Sequence, residues 1–137
     1  MKSKLLFIAA LLLLLLGTGC SKTNPNVFSW NYLGRHYVAD SGSVSSTPDN
    51  RILAYSGQTA LAIDGGGKLA VGTYTLHNTN TTGMPYLFYV SVATYIYSRN
   101  GSLTITANDN TQISGYFTAT LTDSSYITGS FTNLPYQ

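Results

Sequence analysis

Glutamate is absent from this 137-residue sequence, and charge of either sign is scarce, at 9% of residues. All five acidic side chains are aspartates: Asp40, Asp49, Asp64, Asp109 and Asp123. Of seven basic residues, Lys2 and Lys4 stand in the first four positions, and without them the chain is close to neutral. The basic footprint needed to bind a phosphate backbone is therefore missing, and nucleic acid is excluded as a partner. Cysteine occurs once, at Cys20, which rules out an internal disulfide and leaves packing and backbone ladders to hold the fold. His36 and His77 lack flanking cysteines or glutamates and form no metal-ligand set, so no metal or cofactor is expected. No apolar run reaches the roughly twenty residues that span a bilayer as a helix. The longest, Leu5 to Leu16, has twelve.

What is present begins with that run. Met1-Lys2-Ser3-Lys4 gives it a positive start, and Leu16-Gly17-Thr18-Gly19-Cys20 closes it. A basic opening and a short apolar core suit a signal peptide, and the small residues before a lone cysteine resemble a bacterial lipobox. Residues 1–19 are expected to form a signal-peptide helix cut between Gly19 and Cys20. The Cys20 thiol would then carry diacylglycerol and acyl chains such as palmitate. Gly17 stands where leucine is usual, with Leu16 one step further out. Residues 20–26 read as the lipidated cysteine and a polar tether, and 27–137 as a single domain.

From Val27 onward, Thr, Val, Ile, Tyr and Phe dominate and no stretch has helical periodicity. Val27 to Tyr32 and Arg35 to Ala39 read as a hairpin about Leu33-Gly34, and Arg51 to Ser56 with Thr59 to Asp64 as a second about Gly57-Gln58. Ser41 to Asn50 reads as a loop, Gly72 to Leu76 as a short strand, and His77 to Pro85 as a polar loop. Tyr86 to Tyr97 is apolar on both faces and reads as one long strand covered on both sides. Beyond it Leu103, Ile105 and Ala107 share a face, as do Ile113, Gly115, Phe117, Ala119 and Leu121, and then Ile127, Gly129 and Phe131. Turns are expected at Asn100-Gly101, Asn108 to Asn110 and Asp123 to Ser125. The pattern gives an all-β fold, an antiparallel β-sandwich or flattened barrel of about eight strands. Gln112 to Phe117 and Ser125 to Phe131 look like copies of one phrase, but neighbouring strands of a meander need that alternation in any case.

Taken in order, several phrases resemble a known pattern. They are Phe28-Ser29-Trp30-Asn31 through Tyr37-Val38-Ala39, Leu61-Ala62-Ile63, Gly72-Thr73-Tyr74-Thr75-Leu76, Ala93-Thr94-Tyr95, Gly101 to Thr106, Ile113-Ser114-Gly115-Tyr116-Phe117 and Ile127-Thr128-Gly129-Ser130-Phe131. Behind a lipobox, this order is similar to a family of small Gram-negative secreted lipoproteins classed as a domain of unknown function. The resemblance implies an all-β fold and a cell-envelope location, and it brings no catalytic residues.

His36, Asp40 and Ser41 supply the residue types of a hydrolase triad, but no G-x-S-x-G elbow accompanies them. Asn108-Asp109-Asn110 offers oxygens to calcium but only one carboxylate, and it lies between two strands where such residues make turns. Gly65-Gly66-Gly67-Lys68 lacks the spacing and following helix of a phosphate loop. Aromatics carry more weight, with eleven tyrosines and Trp30. Trp30, Tyr86, Tyr95, Tyr97, Tyr116 and Tyr126 are candidate ligand-contact residues, since exposed rings among hydroxyls suit sugar or protein recognition. Tyrosine and threonine also simply favour a wet sheet face. The expectation is a non-enzymatic binding or structural module in the outer membrane, anchored through its N-terminal lipid, with an unknown protein or glycan partner. A carbohydrate-binding accessory domain is the alternative, and a small hydrolase the third.

Overall fold

The computed structural model describes residues 27–46, 50–78 and 83–137. The expected signal-peptide helix, the Gly19–Cys20 cleavage site and the tether lie outside the described residues. Among those described the chain is all-β, with ten strands: β1 (Val27–Tyr32), β2 (Arg35–Val38), β3 (Ser41–Val44), β4 (Ile52–Ser56), β5 (Thr59–Asp64), β6 (Gly72–Leu76), β7 (Tyr86–Ser91), β8 (Thr94–Asn108), β9 (Gln112–Leu121) and β10 (Tyr126–Pro135). They form one antiparallel sheet in the order β2-β1-β10-β9-β8-β7-β5-β4-β3, with β6 also paired to β8. The sheet curls into a half-barrel, so that β1 on one limb meets β7 on the other, the Tyr32 and Tyr89 rings lying 4.4 Å apart.

The curl turns on β8. Its first residues pair with β7 as far as Tyr97, while Gly101 to Ile105 pair on the same edge with β6. At the fork sits fully buried Ser98, whose Oγ donates to the His77 carbonyl (2.8 Å) and accepts from the Leu87 amide (3.0 Å). A register shift between Ser98 and Asn100 bends the strand there, as bulges do. Strand alternation then sends Phe28, Trp30, Ile52, Leu61, Ile63, Leu87, Tyr89, Leu103, Phe117, Ile127 and Phe131 into the concave side as the core.

The repeated phrase has a packing reason. In the β9–β10 register Gly129 lies opposite Phe117, and Phe131 lies opposite Gly115. A Cβ at Gly129 would meet the Phe117 ring and, on its other side, the Ser29 carbonyl oxygen at 2.6 Å. A Cβ at Gly115 would meet the Phe131 ring at 2.7 Å and the Thr104 carbonyl. Each phenylalanine thus lies over the glycine of the neighbouring strand, and neither glycine has a positive φ. Space, not conformation, requires them.

Four expectations are corrected. Ser41–Val44 is not loop but β3, paired with β4 from Ser41↔Tyr55 to Val44↔Ile52, which brings the strands of the described residues to ten. Its small residues admit β10: a Cβ at Gly42 would lie 3.2 Å from Leu134. Tyr86 to Tyr97 is not one strand but a hairpin, turning at Val92-Ala93 with φ of 54° and 121°. Primed hairpin turns favour Asn-Gly, so a Val-Ala turn leaves no compositional signal. Conversely, Asn100-Gly101 is no turn. Gly101 is needed because a Cβ there would strike the Thr118 carbonyl and the Ala119 Cα at 2.8 Å. Lastly, a register shift between Ile105 and Ala107 puts Ala107 in solvent rather than beside Leu103.

Candidate binding face

The convex side of the two limbs differs in chemistry. On the limb of β1, β10, β9, β8 and β6 it is hydroxyl-rich. There Thr73 bonds Thr104 (3.1 Å) and Ser102 bonds Thr118 (3.2 Å) across strands. On the limb of β4, β5, β7 and the start of β8 it is aromatic and apolar.

That second surface follows from register. Ile52, Ala54, Leu61, Ile63, Leu87 and Tyr89 face the core, so their strand neighbours face out. One cross-strand row holds Leu53, Ala62, Phe88 and Tyr97, and the next holds Tyr55, Ala60, Val90 and Tyr95. Phe88 lies at the centre of the rings, with centroids 6.1 Å from Tyr86, 6.4 Å from Tyr95 and 6.1 Å from Tyr97. Tyr86, Phe88 and Tyr97 are half-buried, whereas Tyr55 is 48% and Tyr95 60% exposed. Val92, 74% exposed at the hairpin tip, continues the apolar surface past Tyr95.

One ion pair borders the rings. Arg51 Nη2 donates to Asp64 Oδ2 at 2.8 Å, and its guanidinium carbon lies 5.8 Å from the Phe88 ring centroid. Buried Asp64 also accepts from the Gly66 amide (3.3 Å) and the Tyr86 hydroxyl (3.4 Å). Burial, and next the Asp64 charge, push the Tyr86 phenol above its ordinary value.

Of the six candidate aromatics, Tyr86, Tyr95 and Tyr97 come together here. Tyr116 and Tyr126 are exposed but stand apart on the hydroxyl-rich limb, in register with Thr104 and Thr120. Trp30 is corrected from candidate contact to core: it is fully buried, stacked on Tyr37 at 5.3 Å and edge-on to Phe28 at 5.8 Å. Its Nε1 is buried without a partner. Sequence reasoning missed Tyr55, Phe88, Leu53 and Val90. The signal was there in Tyr86 to Tyr97, apolar on both faces, but it reads as burial on both sides when one side is in fact half open.

The other groups take local roles. His36 Nδ1 bonds Asn31 Oδ1 (2.9 Å), while Asp40 Oδ2 accepts from the Gly57 amide (2.8 Å), so the two engage different partners. Asp109 Oδ1 accepts from the Thr111 hydroxyl (2.7 Å) and from the Thr111 and Gln112 amides (2.8 Å each), which closes the β8–β9 turn and holds its carboxyl below the ordinary range. Among the described residues no three of His, Cys, Asp and Glu lie together as a metal site. Comparison of the chain with protein-family models, curated proteins and solved structures finds no match.

The Val92-Ala93 turn holds two non-glycine residues at positive φ, a conformation that costs each of order 1–3 kcal/mol. Replacing them with Asn-Gly is expected to stabilise the domain by about 1 kcal/mol or more, raising the melting temperature by on the order of 5 °C. Thermal melts followed by circular dichroism check this, and an unchanged or lower midpoint counts against strain in the turn.

Proposed function

We propose that the chain is a lipoprotein domain of the cell envelope, held to the outer membrane through Cys20, that acts by binding and not by catalysis. The observation that carries the binding reading is the contiguous, half-open ring surface of Tyr86, Phe88, Tyr95 and Tyr97, with Tyr55 across the sheet. Scattered apolar residues are ordinary on a protein surface, whereas a contiguous aromatic patch is the composition of an interaction site. The basic, then apolar, start of the chain and the small residues before Cys20 support the anchor. Several acyl chains at Cys20 would make attachment stable, since a single chain binds only marginally.

The test is a fractionation and binding experiment on three proteins. Wild type is expected in the membrane fraction, and Cys20→Ser in the soluble one. Tyr55→Ser/Tyr95→Ser is expected to remain with the membrane but to lose binding of labelled envelope extract. Membrane-bound Cys20→Ser would refute the anchor, and undiminished capture by the double variant would refute the face.

A further inference from the structure

We infer that the aromatic face takes an uncharged oligosaccharide, laid across β4, β5, β7 and β8 between Tyr55 and Tyr95. This rests on the reading of that face as the binding surface, and three observations narrow its occupant.

The first is charge. Among the described residues the charged side chains within the ring surface are Arg51 and Asp64, which pair at 2.8 Å. An anionic polymer or acidic headgroup finds no excess cation here, and a basic peptide finds no spare anion. Interfacial membrane binding likewise relies on lysines and arginines flanking the apolar residues. A neutral face complements a neutral ligand.

The second is spacing. The row from Tyr55 on β4 to Tyr95 on β8 is filled by Ala60 on β5 and Val90 on β7, both partly exposed. Ala60 is the small side chain of that row, and Ala62 in the next row is fully buried. Tyr55 and Tyr95 share one cross-strand row and are separated by three strand spacings, about 14 Å. Both rings are among the most exposed on the limb, at 48% and 60%. A ligand touching both must be longer than one sugar ring, and it would pass over Ala60 and Val90.

The third is the match of polar groups to hydroxyls. A sugar hydroxyl both donates and accepts, while the sugar's C–H faces are apolar and stack on rings. Phenol hydroxyls at Tyr55, Tyr95 and Tyr97 offer both roles around the apolar residues, while that of Tyr86 already donates to Asp64. Mutual packing of Tyr86, Phe88, Tyr95 and Tyr97 at 6.1–6.4 Å restrains the rings in advance, which lowers the entropy lost on binding.

The experiment uses full-length protein in detergent and cell-envelope extract as the probe, divided into untreated, protease-digested and periodate-oxidised portions. Binding is expected to survive protease and to disappear after periodate, which opens sugar rings at vicinal diols. Tyr55→Ser and Tyr95→Ser are each expected to weaken it by about tenfold or more, the size of an interface anchor's loss. Tyr116→Ser and Tyr126→Ser, on the other limb, leave it unchanged. All four variants should melt near the wild-type temperature. Binding that is lost to protease but resists periodate, while still depending on Tyr95, would overturn the glycan and leave the binding face standing. Tyr95-dependent self-association that occludes the face would assign it to a second copy of the chain. Binding indifferent to both Tyr55 and Tyr95 would overturn the inference and the face together.

Discussion

Phe117→Ala is expected to cost the domain about 3–5 kcal/mol, a large part of the 5–15 kcal/mol that separates a typical folded domain from its unfolded chain. The ring is fully buried between limbs, 6.0 Å from the Phe28 ring, and it covers Gly129 on the adjacent strand. Removing it leaves a cavity against a backbone that cannot collapse inward, because β1 lies beyond Gly129 with the Ser29 carbonyl 2.6 Å from where a Cβ would stand. Gly129→Ala attacks the same contact from the other side, driving a methyl into ring and carbonyl together, and is expected to cost about 3 kcal/mol or more. The two costs should not add. In the Phe117→Ala background the ring is gone, so Gly129→Ala meets only the carbonyl, and the double variant should be more stable than the sum of the single losses implies by about 1 kcal/mol or more. Urea unfolding of the four proteins in the cycle measures this. Additive losses, or a Phe117→Ala variant within 1 kcal/mol of wild type, would remove the interlock as the reason for the repeated phrase.

Alkaline pH should unfold the domain through its internal tyrosines. Tyr89 is 1% exposed, and burial first, then a hydrogen bond with Tyr37 and the proximity of the Tyr37 and Tyr32 phenols, push it up to about 12. Burial also raises Tyr32. A phenol whose folded value lies above its ordinary value of 10 contributes stability in full below pH 10, and loses it as pH rises through 12. For Tyr89 that amounts to about 2–3 kcal/mol lost across the window. Tyr89→Phe keeps the ring against Tyr32 and removes the ionisation. It is expected to show a visibly flatter loss of urea midpoint with pH, while a fraction of the wild-type tyrosinate absorbance appears only on unfolding. Parallel pH profiles for the two proteins would argue against a buried phenol at this place.

The acidic side has a smaller counterpart in the β9–β10 turn. Burial tends to raise Asp123, but bonds from the Ser125 hydroxyl (2.6 Å), the Ser125 amide (2.9 Å) and the Tyr32 hydroxyl (3.3 Å) outweigh it and leave its carboxyl depressed. That contribution is present above the ordinary aspartate range and is lost as pH falls through the folded value. The turn residues Asp, Ser and Ser were readable as such in the sequence, because their side chains bond the backbone locally. Val92-Ala93 was not readable, because its conformation is imposed by the pairing of β7 with β8 and not by either residue's preference. Asn100-Gly101 misled for the opposite reason: its glycine answers to a neighbouring strand, not to a turn.

The candidate face divides along the same line. Tyr86, Tyr95 and Tyr97 could be marked from their residue type, but Tyr55 and Phe88 gained meaning only through register. In a β-strand the period of two is local, so an amino-acid sequence by itself determines that this chain is all-β and, within an uninterrupted strand, which residues share a face. Which apolar face is covered is not local. It depends on how β8 bends at Ser98 and carries one limb over the other, burying Trp30 and leaving the rings on the convex side of β7 and β8 half open. Contacts between residues far apart in the chain decide that, and only the tertiary structure contains them.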